Sequence, residues 1–338
     1  MTHEGSAPVQ YRYDVVGIGN AIVDVISQEG EAFIGELDLV KGAMTLIEAD
    51  RAHELYAAMS PAIEDSGGSA ANTMAGLASF GSSAAYIGKV RDDQLGEVFR
   101  HDIRAVGVDF DVPPAPDGPP TARCLIVVTP DAARTMNTFL GISGFLHPDD
   151  IDTDLVAASR VLYCEGYIYD VPVTKQAIRL ALSAAQRAGN KVSFTLSDSF
   201  CVERHHEEWL ELVDDHIDIL FANEHEICTL YRTDDFDAAL DDVRGRCEIA
   251  CLTRSEKGSV IVTADSVVEV PAWPVEDVID TTGAGDLYAA GFLHGYGRGL
   301  DLATCGALAS LAAAEVISHV GARPAVPLAE LAARHLGV

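Results

Sequence analysis

The chain has 338 residues, 48% hydrophobic and 22% charged, a length for one large α/β domain or two ordinary ones and a composition that excludes wholesale disorder and a fibrous chain. With 23 Lys and Arg against 52 Asp and Glu, the formal charge of −29 repels nucleic acid and anionic lipid, although a few backbone amides can still build a positive pocket for a small anionic substrate. Seven scattered cysteines without a Cys-x-x-Cys pair, no leader at the N-terminus and no run of 18 apolar residues point to buried thiols in the cytoplasm, without disulfides, zinc or a membrane span.

After a polar tail of about ten residues, Asp14-Val-Val-Gly-Ile-Gly19 reads as a short buried strand ending in a glycine turn. Short strands are expected within 25–47, at Val25-Ile-Ser, at 37–41 and at Met44-Thr-Leu-Ile47. Ser66-Gly-Gly-Ser-Ala-Ala-Asn72 reads as a glycine turn feeding a closely packed helix that runs as far as Phe80. A strand at 84–88 follows, then a helix over 92–106 with Leu95, Val98, Phe99 and Ile103 on one face. Prolines 113, 114, 116, 119 and 120 break this βαβ rhythm before a β-rich run at 121–129. The segments 25–47 and 109–140 are therefore expected to form a small lid outside the main sheet. From 160 onward, strands at 161–164, 191–194, 217–221, 249–252 and 259–262 alternate with helices at 173–188, 206–214, 224–231 and 235–245. The pattern predicts an α/β fold with a mostly parallel, helix-covered sheet, as a single domain over 1–338 with an inserted lid.

The strongest chemical signal is Asp280-Thr-Thr-Gly-Ala-Gly-Asp286, which runs into an apolar helix. Gly283, Ala284 and Gly285 can turn consecutive amides toward an anion, with the helix dipole adding positive potential. Asp286 would repel a phosphate there unless it accepts a proton from an attacking hydroxyl, so the arrangement suits phosphoryl transfer to an alcohol. A plain tight turn with a dipole-stabilised acid accounts for the same residues. Gly17-Ile-Gly19-Asn-Ala-Ile22 begins like a dinucleotide fingerprint, with Glu36 at the distance of a ribose acid but Ile22 where a third glycine or alanine belongs. An NAD-dependent enzyme is the competing reading. Asp24 and Asn72, each just beyond a glycine turn, can bind a polyhydroxylated substrate or cap local structure. Asn223-Glu-His-Glu226 follows a strand, where its oxygens suit Mg²⁺ held through water or a capped helix start. There is no Walker P-loop, zinc-protease or nucleophile-elbow motif, and His205-His206 is expected on a solvated helix face.

In their order and spacing these motifs resemble those of the ribokinase-like carbohydrate and nucleoside kinases, over nearly the whole chain. The stretch 280–286 is similar to that family's C-terminal signature, and Gly67-Gly-Ser-Ala-Ala-Asn72 to its glycine pair with a substrate-binding asparagine. Asn223-Glu-His-Glu226 is similar to its Asn-x-x-Glu magnesium element. Thr253-Arg-Ser-Glu-Lys-Gly258 resembles its nucleotide-binding Thr-x-Gly-x-x-Gly turn, with Ser255 in place of the usual glycine. Val16-Gly-Ile-Gly-Asn-Ala-Ile-Val-Asp24, Phe33-Ile-Gly-Glu-Leu-Asp-Leu39, Thr45-Leu-Ile-Glu48 and the stretch 218–226 look more like adenosine kinases than ribokinases.

The resemblance implies a three-layer core of about nine strands, a small β-sheet lid, an acceptor alcohol between lid and core, and ATP across the strand ends. By the same resemblance Asp24 would hold ribose hydroxyls with Gly67, Gly68 and Asn72, and Asp286 would be the base beside the anion hole of Gly283, Ala284 and Gly285. Arg134 would reach the phosphates on closure, and Asn223, Thr253, Ser255 and Gly258 would hold the nucleotide. Asn223 and Glu226 would carry Mg²⁺ through water, and Asp280 and Thr282, with the loop 318–323, would lie near a K⁺ ion. The expected activity is ATP-dependent phosphorylation of a primary hydroxyl, the 5′-hydroxyl of adenosine first. The alternatives are a sugar such as ribose or fructose, and a non-catalytic nucleoside sensor, which would have no need of Asp286. No Lys or Arg cluster accompanies Asp24 and Asn72, which favours a neutral acceptor. The expected partners are this small molecule and ATP, with neither nucleic acid nor membrane, for a monomer or homodimer.

Overall fold

Short apolar runs punctuated by glycine and amphipathic stretches of three to four turns sort into two sheets and their covering helices. The computed structural model describes residues 11–131 and 133–338. In chain order its strands are β1 (Tyr13–Ile18), β2 (Ile22–Gln28), β3 (Met44–Leu46), β4 (Ile63–Gly67), β5 (Ala84–Ile87), β6 (Ala122–Val128) and β7 (Arg134–Phe139). Then follow β8 (Ser159–Glu165), β9 (Lys191–Thr195), β10 (Ile219–Asn223), β11 (Ile249–Thr253), β12 (Ser259–Val262) and β13 (Val267–Val270). The main sheet has eight strands in the order β13-β12-β11-β10-β9-β8-β1-β5. It is parallel from β5 to β11, with β12 and β13 antiparallel at one edge.

Successive residues of a strand point to opposite faces, and the central strands are apolar on both. Val16, Leu162, Phe194, Leu220 and Leu252 pack with the helices Pro172–Ala188, His206–Asp215, Glu224–Leu230 and Phe236–Val243. Val15, Val161, Ile219, Phe221 and Ile249 face the helices Ser69–Ser79, Gln94–Ala105, Ala284–Gly297 and Leu302–Val316. The result is an α/β fold with the mostly parallel, helix-covered sheet that the alternating pattern predicted and the three layers that the resemblance implied.

The second sheet has five strands in the order β3-β7-β6-β2-β4. Two details differ from the sequence reading. Residues 37–41 form no strand; a short helix, Glu31–Glu36, leads into a turn in which Asp38 takes a left-handed φ of 49°. Conversely, β4 pairs with β2 although Ile63-Glu-Asp-Ser-Gly67 has a single large apolar residue, since an edge strand needs only one ladder and tolerates charge. His205 and His206 also depart from expectation, their side chains being only 15% and 11% exposed. His206 Nε2 lies 2.8 Å from the Leu230 carbonyl.

Candidate active site

Open parallel sheets place ligands beyond the carboxyl ends of their strands. Here Asn20, Glu165, Thr195, Asn223 and Thr253, at or just past the ends of β1, β8, β9, β10 and β11, line one cavity of about 820 Å³. The second sheet closes over it with period-two alternation. Asp24, Cys124, Ile126, Met136, Thr138, Met44 and Leu46 face the cavity, while Val25, Leu125 and Phe139 pack on the helix Ala49–Ala58. Of the residues singled out in the sequence, Asp24, Gly68, Asn72, Asn223, Glu226, Thr253, Thr282, Gly283, Ala284, Gly285 and Asp286 share this cavity. Ser255 lies on a neighbouring cavity of about 870 Å³ that shares the Asn223 and Thr253 walls.

Asp286 stands in the first turn of the helix Ala284–Gly297. That helix starts at Gly283, whose φ of +79° favours glycine and where a Cβ would lie 2.7 Å from the Ala322 carbonyl oxygen. The Ala284 amide is spent on the Thr281 carbonyl at 3.3 Å. Among the described residues no carbonyl takes the amides of Gly283, Gly285 or Asp286, so they are free at the positive end of the helix dipole. The Asp286 carboxylate accepts hydrogen bonds from Ser69 Oγ at 2.6 Å and Asn72 Nδ2 at 3.1 Å. Burial pushes its carboxyl up to about 6 although both donors oppose the rise.

Ser69 and Asn72 reach Asp286 because Gly68, at φ +95°, turns the chain from β4 into the helix Ser69–Ser79. A Cβ at Gly68 would lie 2.4 Å from the Asn20 carbonyl oxygen. Gly67 closes β4 opposite Ile22, two residues before Asp24. Among the described residues nothing donates to the Asp24 carboxylate, which lines the cavity. Burial, with Asp65 and Asp286 nearby, pushes Asp24 up to about 7 against the pull of Arg134 and Arg323.

Glu165 is a participant the sequence reading missed. Its Oε1 accepts from Asn20 N and Nδ2, both at 2.9 Å, and its Oε2 from Ala70 N at 2.8 Å. It thereby clamps the turn after β1 to the first turn of the helix Ser69–Ser79, and burial still pushes it up to about 7. A lone acid ending an apolar strand just before a glycine, Val161-Leu-Tyr-Cys-Glu165-Gly166, was the available signal.

Asn223 and Glu226 form a capping box, each side chain bonding the other's backbone amide, with Asn223 Nδ2 also 2.7 Å from Glu226 Oε1. Burial and the nearby Asp198 push Glu226 up to about 7. Ser255 adopts a left-handed φ of 50° where a glycine would be relaxed, at a cost of roughly 1 kcal/mol. Gly258 follows at φ 86°, beside the Val270 carbonyl. Arg134 reaches from β7 to form an ion pair with Asp280, their side chains 14% and 4% exposed. Thr282 N, Thr282 Oγ1 and Gly321 N donate to the same Asp280 carboxylate, at 3.0, 2.7 and 3.1 Å.

The chain matches the model of the pfkB family carbohydrate kinases over residues 44–329. It belongs to that family. Among solved structures similar to it, an adenosine kinase from Sinorhizobium meliloti is 53% identical, with a TM-score of 0.90, covering 96% of this chain and 99% of that one. A probable sugar kinase from Rhizobium etli CFN 42 is 48% identical, with a TM-score of 0.92, covering 97% of this chain and 100% of that one. A curated relative, a nucleoside kinase from Methanocaldococcus jannaschii, is 35% identical over 148 residues, which are 43% of this chain and 48% of that protein. The chain thus spans about half the length of that relative.

As a pfkB family kinase the chain is a phosphotransferase that uses ATP and an alcohol acceptor, within the nucleoside and sugar kinases. The NAD-dependent reading falls, because the turn after Gly19 leads into strand β2 rather than the helix that a dinucleotide fingerprint requires. Among the described residues no helix is long and apolar enough to cross a membrane, and no group of three His, Cys, Asp or Glu side chains is placed to hold a metal. Both Glu226 oxygens already accept from Asn223. Each keeps a second lone pair, which fits Mg²⁺ bound through water rather than directly. The Asp280 carboxylate already takes four donors including the Arg134 guanidinium, so with Arg134 seated on it, it does not fit a K⁺ ion.

Proposed function

We propose that this kinase phosphorylates the 5′-hydroxyl of adenosine, giving AMP and ADP. The observation that carries this reading is the two-part acceptor end of the cavity. Asp24 offers an unpaired carboxylate suited to a ribose diol, and on the same sheet Met44, Leu46, Ile126 and Met136 form an apolar wall of the cavity suited to a flat base. A free sugar has far less apolar surface than a purine to bury there. The similarity to the Sinorhizobium meliloti adenosine kinase supports the same acceptor.

In this mechanism Asp24 and Asn72 hold the ribose with its 5′-oxygen toward Asp286. Asp286 accepts the proton as that oxygen attacks the γ-phosphorus and forms the new P–O bond. The bond to the β-phosphate oxygen breaks, its electron pair leaving with ADP. The unpaired amides of Gly283, Gly285 and Asp286 hold the charge that develops on the transferring group. Asn223, Thr253, Ser255 and Gly258 would line the path of the nucleotide phosphates. Arg134 would exchange Asp280 for a phosphate, drawing the second sheet down and excluding water. Mg²⁺, held through water by Asn223 and Glu226, would neutralise phosphate charge.

The test is phosphoryl transfer from Mg-ATP to adenosine, other nucleosides, ribose, fructose and fructose phosphates, with Asp286→Asn beside the wild type. Transfer to adenosine that is lost in Asp286→Asn is the expected result. Preferred transfer to a sugar would overturn the acceptor while keeping the chemistry.

A further inference from the structure

A second guanidinium approaches the acceptor end of the cavity from the end of the loop 318–323 and meets Asn72, where the sequence reading expected no cationic cluster. Arg323 lies in the connection between the helices Leu302–Val316 and Leu328–His335. Its Nε donates to Asn72 Oδ1 at 3.4 Å and its Nη1 to Ser66 Oγ on β4, while Nη2 is buried without a hydrogen-bond partner. A guanidinium with an unpaired buried N–H is costly, and an apolar side chain of similar volume would fill the space more cheaply if packing were its only task.

The geometry shows what else it does. A primary amide has one accepting oxygen and one donating nitrogen. With Oδ1 turned to Arg323, Asn72 must present Nδ2 on its other side, where it meets Asp286 Oδ2 at 3.1 Å. A rotated amide would set oxygen against carboxylate and lose both contacts. Arg323 also places positive charge among Asp65 of β4, Asp102 of the helix Gln94–Ala105 and Asp24 of β2, with Tyr86 of β5 beside it. Asp24 is faced in turn by Arg134, Asp65, Arg323 and Asp286. Asp286 is faced by Ser69 and Asn72.

We infer that Arg323 is a positioning residue for phosphoryl transfer, fixing the Asn72 amide so that it orients the Asp286 carboxylate and faces the acceptor in one orientation. This rests on the reading of Asp24, Asn72 and Asp286 as the acceptor end. The fork and the charge separate by substitution. Arg323→Lys keeps the charge but loses the planar fork, and Arg323→Met loses both.

The experiment measures steady-state kinetics of the full chain from pH 5 to 9, with whichever acceptor the panel selects. Arg323→Lys should raise the acceptor KM about tenfold, leave the ATP KM within about twofold, and leave the acid limb of kcat/KM in place. Arg323→Met, which also loses the Nε donor to Asn72, should show the same KM split. If Arg323→Met gives no cooperative melting transition, the Arg323→Lys split alone decides. An acceptor KM in Arg323→Lys within about twofold of wild type, or both KM values rising together, overturns the inference. Asp286→Asn is run alongside: turnover that survives it defeats the base assignment, whereas the KM split still reports on Arg323 and Asn72.

Discussion

In its proposed role as base, Asp286 is subject to two opposing influences, since it must be ionised to accept a proton while burial makes ionisation costly. Its carboxyl sits at about 6 because Ser69 and Asn72 offset only part of that cost. Asp286→Asn keeps the shape and removes the proton acceptor, so kcat should fall by about 10³-fold with the ATP KM nearly unchanged, measured by single-turnover transfer. An equal rise in KM would mean that Asp286 serves binding instead. Asp24 sits higher, at about 7, and a carboxylate receives two hydroxyl donors only when ionised. Acceptor affinity should therefore weaken as the pH falls from 8 toward 6, about tenfold per unit below the pKa. Calorimetric titration of adenosine into wild type and Asp24→Asn checks this, the variant binding weakly at every pH. Asp24, Asn72 and Asp286 were legible because each follows a glycine turn in a short recognisable string. Glu165 and Arg323 were not, because their chemistry is long-range: Glu165 meets partners 145 and 95 positions away, and Arg323 meets Asn72 across 251.

Among the secondary-structure elements, one link between the second sheet and the core is the Arg134–Asp280 pair, which joins β7 to the turn before the helix Ala284–Gly297. Removing the guanidinium leaves a buried carboxylate with only its neutral donors. Arg134→Met should then cost about 3 kcal/mol of stability, read from urea denaturation midpoints, with Arg134→Lys recovering part of it. A loss no larger than that of an exposed surface pair would show that water reaches Asp280 and that the link is loose. The main sheet was readable from sequence because strands buried on both faces, such as Ile219-Leu-Phe-Ala222, are continuous apolar runs between amphipathic helices. Most of the second sheet was also readable, from the β-branched run in β6 and the broken rhythm before it. Strand β4 was not, since Glu64, Asp65 and Ser66 lack the pattern of a half-buried strand and gain their place only by pairing with β2. At 223–226 the sequence left a magnesium element and a helix cap as alternatives, and the capping box occupies the same atoms that a hydrated ion would address from outside.

At the scale of the whole molecule, the cavity carboxyls and the surface charge set the pH dependence of stability in the same direction. Asp24, Glu165 and Glu226 are held near 7 and Asp286 near 6, against about 4 for such groups in an unfolded chain. Between about pH 4 and 7 these four groups bind more protons in the native than in the unfolded state, so their contribution to stability declines as pH rises through that window, against the opposing contribution of His294, which burial holds down at about 4. The formal charge of −29 adds self-repulsion that grows as carboxyls ionise. The thermal midpoint should accordingly be higher near pH 5.5 than at pH 8, and at pH 8 it should rise between about 0.05 and 0.5 M salt as screening shortens the repulsion. Sodium and potassium chloride should act alike, because screening depends on ionic strength and the Asp280 carboxylate already has its four donors. A midpoint that rises with pH would contradict the raised carboxyls, and a distinct advantage for potassium would mean that a cation displaces Arg134 from Asp280. Asp24 and Asp286, which the proposed mechanism needs ionised, are thus among the groups whose ionisation loosens the fold. Bound acceptor, by donating hydroxyls to Asp24, should lift the midpoint more at pH 8 than at pH 5.5.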